Sequence, residues 1–166
     1  MRQESKFKID NLNNNIIEYR KTLKKLIENT PHGLISCYTD GSRTESGSGA
    51  GFIITTDNNN TTIKEAHFKL PDYCTVFQAE LTEIKEACIY LEPHKDKNII
   101  IWTESLSSIQ ALASITSRSI SVNNCYNALQ DIATHNNVTL RWVPAHTGIW
   151  GNEKADILAK AASRYY

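Results

Sequence analysis

The sequence of 166 residues predicts an α/β domain: a mixed, five-stranded central sheet, three antiparallel strands followed by parallel additions, flanked by helices. Three observations predict it. Three strand-like segments succeed one another from Leu34. The run NIIIWT at 98–103 is apolar without a break, the mark of a strand covered on both faces. Beyond it, helical and strand-like segments alternate, as they do when helices pack on the faces of a sheet.

Each element has its own reason. Residues 34–39 form a short apolar run that ends at Asp40-Gly41-Ser42, and residues 49–55 form a second strand after a Ser/Gly-rich turn. Asn58-Asn59-Asn60 marks the next turn and residues 61–70 the third strand, which gives an antiparallel meander. Val76, Phe77, Leu81, Ile84, Cys88 and Leu91 then recur at helical spacing, with Pro93 just past the end. After NIIIWT come a helical stretch through Ile109, Leu112 and Ala113, a helix over 122–135, a strand over 138–143 and a closing helix over 152–163. The predicted order is βββαβααβα.

Residues 1–31 stand apart and are read as a basic arm, with residues 32–166 as the domain. The arm holds an asparagine-rich run and then Ile16, Ile17, Tyr19, Leu23, Leu26 and Ile27 at amphipathic helical spacing, closed by Thr30-Pro31-His32-Gly33. It carries seven Lys and Arg against four Asp and Glu, a net +3. The whole chain has 18 Lys and Arg against 18 Asp and Glu. A protein that gripped nucleic acid by charge alone would carry an excess of base, so simple electrostatic binding is disfavoured. The four cysteines form no CxxC pair, which argues against a zinc knuckle or a redox dithiol and for reduced, packed thiols. No stretch approaches the roughly 18 apolar residues of a membrane span and the N-terminus is polar, so an intracellular, non-secreted protein is expected.

Several carboxylates sit where a bland reading strains. Asp40 ends an apolar strand, and as an isolated Asp-Gly it reads as a turn former. Glu104 follows NIIIWT in the same way, and in an open α/β sheet ligands gather beyond the carboxyl ends of central strands. Glu80 lies between Phe77 and Ile84 on the apolar side of its helix, where a bare carboxylate is costly. Glu83 and Glu86 are expected on the opposite, solvated face. Asp156 falls near the start of the last helix, where dipole complementation alone could explain it. Taken together, acids packed closely repel one another unless a divalent cation neutralises them, and oxygen donors suit Mg²⁺ or Mn²⁺.

The local sequences around these acids carry a resemblance. Tyr38-Thr39-Asp40-Gly41-Ser42, Phe77-Gln78-Ala79-Glu80-Leu81, Ile101-Trp102-Thr103-Glu104-Ser105, and Pro144-Ala145-His146-Thr147-Gly148 through Gly151-Asn152-Glu153-Lys154-Ala155-Asp156 resemble, in order, the motif blocks of the type 1 ribonuclease H family. The likeness is greatest to the ribonuclease H domains of retrotransposon polyproteins and spans Leu34 to the C-terminus. It implies a ribonuclease H-like fold and endonucleolytic cleavage of the RNA strand of an RNA/DNA hybrid by two Mg²⁺ ions, for which Mn²⁺ can substitute. Carried over, Asp40 bridges both ions, Glu80 holds one and touches a ribose 2′-hydroxyl, Asp156 binds on the nucleophile side, and Glu104 takes the place of the third metal-binding acid. The resemblance puts His146 on a loop that assists proton transfer or product departure. Ser42, Arg43, Gln78 and Ser105 are candidate contacts to the nucleic-acid backbone or 2′-hydroxyls.

Two departures bear on activity. The family usually has Asp where this chain has Glu104; an added methylene moves the carboxylate by roughly 1 Å, which can cost on the order of 10²-fold in rate. The segment Thr116-Ser117-Arg118-Ser119-Ile120 stands where some cellular members carry a longer basic, tryptophan-containing handle. Weak intrinsic hybrid affinity is therefore expected, with a reverse transcriptase or another polyprotein segment as partner. Two alternatives differ in outcome: a catalytically silent hybrid-binding module, which would not cleave, and an integrase-like nuclease, which would prefer duplex DNA.

Overall fold

A computed structural model describes residues 5–10, 33–56, 60–114, 119–144 and 150–163. Its strands are β1 (Lys8–Asp10), β2 (Ile35–Thr44), β3 (Gly47–Thr56), β4 (Thr61–Leu70), β5 (Asn98–Thr103) and β6 (Asn137–Trp142). Its helices are α1 (Val76–Leu91), α2 (Leu106–Ala113), α3 (Ile120–Ala133) and α4 (Trp150–Ser163). The strands form one sheet in the order β1-β6-β5-β2-β3-β4. β2, β3 and β4 make the predicted antiparallel meander, and β5, β6 and β1 add to it in parallel.

The sheet thus has six strands rather than the five expected. The extra one comes from the segment read as an arm. Lys8 pairs with Thr139 and Asp10 with Arg141. Phe7 is 3% exposed within the main core, its ring set edge-on to Tyr126 at 5.3 Å, and Ile9 packs on the same core. Arg141 Nε donates to Asp10 Oδ2 at 2.8 Å, and the backbone N–H of Lys6 donates to Gln130 Oε1 at 2.6 Å. The alternation Phe7-x-Ile9 was the available signal, but three residues are too few for periodicity to rise above the polar surroundings. The helical pattern read over 16–27 lies outside the described residues.

The chain buries a core on each sheet face. Ile35, Cys37, Ile54, Ile99, Ile101 and Leu140 meet α1, α2 and α3 on one side. Tyr38, Ile53, Trp102 and Val143 meet Ala155 of α4 on the other. Local chemistry fixes the helix starts: Thr75 and Gln78 form a reciprocal capping box on α1, and Ser105 and Ser119 cap α2 and α3 by accepting from the N–H groups of Ser108 and Val122. All four cysteines are free thiols, and Cys37, Cys88 and Cys125 are buried, in line with their reading as packed residues. No helix among the described residues is long and apolar enough to cross a membrane.

Glu83 corrects an expectation. It is fully buried, and among the described residues neither carboxylate oxygen has a hydrogen-bond partner. α1 lies between the sheet and α3, so its buried arc is wider than one apolar stripe and takes in position 83 beside Ala79 and Ala87. Burial, with the nearby charges of Glu80 and Asp40, holds the Glu83 carboxyl well above the usual carboxylate range. Glu86 is partly exposed, as read.

Because Phe7 fills the main core from the sheet edge, Phe7→Ala should lower stability by about 3 kcal/mol. Urea denaturation of the full chain, with both variants monitored by circular dichroism, measures it; an unchanged midpoint would mean that residues 5–10 contribute nothing to the fold.

Candidate active site

β2 does not end at Asp40 as its sequence suggested. It runs on to Thr44, paired with β3 throughout: Asp40 faces Gly51 and Gly41 faces Ala50. On its other side, the parallel pairing with β5 stops at Tyr38 and Trp102, and the Thr39 hydroxyl donates to the Trp102 carbonyl at 2.8 Å. Asp40 therefore stands level with the carboxyl end of β5, where Glu104 emerges. The strand continues past Asp40 because the β2–β3 hairpin supplies its hydrogen bonds.

Two glycines let helices approach this point from opposite faces. A Cβ on Gly41 would stand 2.7 Å from both Cγ and the backbone N of Glu80, so α1 sits directly against β2 at that residue. A Cβ on Gly51, opposite Asp40, would lie 2.8 Å from the backbone N of Ala159 and 3.0 Å from the Ala155 carbonyl of α4. Asp40-Gly41 is thus a close-packing device and not a turn. At the start of α4, Gly151 lies against the ring of Tyr38, which stacks on Trp102 at 5.8 Å between centroids with Arg141 on the far side.

The structure brings Asp40, Glu80, Glu104 and Asp156 into one electrostatic cluster. Asp40 is 7% exposed; burial first, then a side-chain hydrogen bond and repulsion from Asp156, then Glu104 and Glu80, push its carboxyl up to about 9. Burial raises Glu80 to about 7; a hydrogen bond from Ser105 pulls it down and Glu104 pushes it up. On the outer side, Lys160 Nζ donates to Asp156 Oδ2 at 2.7 Å. Glu104 is partly exposed, and its carbonyl accepts from the Trp142 indole N–H at 3.2 Å.

The remaining sequence candidates fall differently. Ser105 lies at the cluster as the cap of α2, bonded to Glu80 and to the Ser108 hydroxyl at 2.7 Å. Gln78 spends its side-chain oxygen on the Thr75 N–H, and exposed Arg43 donates to the Cys74 carbonyl at 3.2 Å, so both brace the loop before α1. Ser42 is buried on β2. His146 lies outside the described residues. Sequence reasoning missed Lys160, whose signal was its position one helical turn after Asp156.

A comparison with protein families matches residues 34–164 to RNase H. The chain belongs to the RNase H family. Hydrolysis of the RNA strand of RNA/DNA hybrids with divalent metal ions is the family's general activity. Among solved structures, RNase H1 from the halophilic archaeon Halobacterium salinarum NRC-1 is 19% identical, with a TM-score of 0.63 over 78% of this chain and 97% of that one. The N-terminal RNase H domain of rv2228c from Mycobacterium tuberculosis, solved as a fusion with maltose-binding protein, gives the same identity and score over 78% of this chain and 93% of that one. Both share the RNase H fold with it. No curated protein matches the sequence.

The donor set can be tested against the metal the RNase H family uses. Among the described residues no group of three or more His, Cys, Asp or Glu side chains is arranged to hold an ion as it stands. The chemistry nonetheless fits: the donors are carboxylate oxygens, those of Asp40 and Glu80 on buried residues, and the Lys160 ammonium already sits on Asp156 where positive charge is needed. A divalent ion relieves the same repulsion with greater charge.

The raised carboxyls give a pH signature with a definite sign. Folded protein keeps protons on Asp40 and Glu80 that unfolded chain has released, so that stability is complete below about pH 4 and is lost as pH rises through about 7 and about 9. The urea midpoint of metal-free protein should fall between pH 5 and pH 9, and Asp40→Asn should flatten the fall. A midpoint that rose over this range would contradict the cluster's electrostatics.

Proposed function

We propose that this RNase H domain cleaves the RNA strand of RNA/DNA hybrids endonucleolytically, with Asp40, Glu80, Glu104 and Asp156 holding two Mg²⁺ ions. The observation that carries the reading is the convergence of four carboxylates from β2, α1, the end of β5 and α4 at one end of the sheet, where burial and mutual repulsion raise Asp40 and Glu80. Bound divalent ions supply Lewis-acid activation of water and stabilise charge on the departing 3′ oxygen. Asp40, which feels the charges of the other three acids, would be the ligand common to both ions. Glu80, steered by Ser105, lies on the α1 side, and Asp156 on the α4 side. Water attacks phosphorus, the bond to the 3′ oxygen breaks, and the products carry 5′-phosphate and 3′-hydroxyl ends; His146 assists the proton transfers.

Preference for a hybrid would follow from ribose 2′-hydroxyls read across a shallow groove, for which Glu80 and Ser105 are the candidate partners. Glu104 reaches from the end of β5 with one methylene more than Asp would, so we propose that activity is present but reduced. α2 ends at Ala113 and α3 begins at Ile120, which leaves little chain for a basic handle. Delivery of the substrate by a reverse transcriptase or another segment of a retrotransposon polyprotein accords with that shortage.

A labelled hybrid incubated with Mg²⁺ or Mn²⁺ should be cut in its RNA strand, and Asp40→Asn should lower the rate by on the order of 10²–10³-fold. No cleavage by the wild-type chain with either ion would favour a silent hybrid-binding module instead. Restoring the shorter acid is the second test: Glu104→Asp should raise the rate, by up to about 10²-fold. If it does not, residue 104 does not limit catalysis.

A further inference from the structure

We infer that Lys160 is the built-in counter-ion of the carboxylate cluster, occupying the cationic position beside Asp156 in metal-free protein and setting the concentration at which a divalent ion takes its place. The inference rests on the proposed reading of these acids as metal ligands and concerns the side chain that competes with the metal.

Taken alone, the contact is a surface ion pair between residues four apart on a helix, a kind that contributes little. Its surroundings make it more than that. α4 packs on Gly51, which faces Asp40 across the β2–β3 pair, so Asp156 stands beside the buried Asp40, and the Lys160 ammonium, 2.7 Å from Asp156, meets the cluster from the exposed side. The ammonium also feels Asp40 and Glu104, which belong to β2 and to the end of β5 and not to its own helix. Among the described residues, Arg43 is drawn to Cys74, Arg141 to Asp10 and Lys154 to Glu65.

Exposure decides which partner can leave. The Lys160 side chain is 49% exposed and that of Asp156 31%, so the ammonium can swing into water on its flexible stem while the acids stay fixed to their elements. A single charge on one carboxylate oxygen is a weak competitor for a divalent ion that several oxygens can bind. It is nonetheless tethered, and its effective concentration at Asp156 does not fall on dilution. Lys160 therefore lowers the apparent metal affinity without touching the reacting atoms, which makes it a positioning residue and not a catalytic one.

Calorimetric titration of the full chain with Mn²⁺, in the absence of nucleic acid, tests this. Lys160→Met keeps the stem and the helix propensity and removes the charge; its Mn²⁺ dissociation constant should be about tenfold lower than that of wild type. Lys160→Arg keeps the charge and should stay within about twofold of wild type. Half-saturation of hybrid cleavage by Mn²⁺ should shift in the same direction in Lys160→Met. If wild-type binding is lost in Asp40→Asn but Lys160→Met binds no more tightly than wild type, or if Lys160→Arg tightens as much as Lys160→Met, the inference is overturned and the carboxylate site stands. Mn²⁺ binding that Asp40→Asn leaves unchanged overturns both.

Discussion

Mutual repulsion among Asp40, Glu80, Glu104 and Asp156 is the constraint around which this end of the molecule is organised. Carboxylates brought this close in a partly dry setting cannot all stay ionised unless positive charge is supplied. The protein supplies what it can: the Ser105 hydroxyl on Glu80 and the Lys160 ammonium on Asp156, while burial and repulsion raise the Asp40 carboxyl. Each of these is a partial answer to one charge. The arrangement is expensive for folding and useful only to something that needs concentrated negative charge, which is why the cluster reads as a binding site and not as scaffolding.

The rest of the fold serves to impose that proximity. Gly41 and Gly51 remove two side chains so that α1 and α4 can close on β2 from opposite faces, and Gly151 rests on Tyr38 so that α4 begins at a fixed height. Tyr38 is itself held by Trp102, Trp102 by Arg141, and Arg141 by Asp10 of β1. Rigid packing of this kind is what lets a site keep acids together against their repulsion, because close-packed interiors do not yield gradually.

Much of this was legible in the residues. Strand and helix order followed from periodicity, Glu80 stood out against its apolar setting, Asp40 and Glu104 as acids at strand ends, and Asp156 through its place in the last motif block. What escaped was set by tertiary context. Asp40 was read as a strand end because the apolar run stops there, whereas the strand persists through hairpin pairing with β3. Glu83 was read as solvated because one-stripe helix logic cannot know that α1 is covered by α3 as well as by the sheet. Lys8–Asp10 was absorbed into the arm because its partner lies at the far end of the chain. Gly41 reads as a turn residue in sequence, but a Cβ there would stand 2.7 Å from the backbone N of Glu80, so its role is close packing.

That first strand has a consequence for how the molecule forms. Asp10 and Arg141 are separated by 131 positions in sequence, yet they are joined by a hydrogen bond and lie in paired strands. β1 cannot dock until β6 exists, so during synthesis residues 5–10 wait while nearly the whole domain is made. Loop closure over that distance is slow and its entropic cost comes before its reward. The meander and α1, built from neighbours in sequence, can form early; the parallel edge closes last, and with it the Asp10–Arg141 tie that leads through the aromatic stack to the acids.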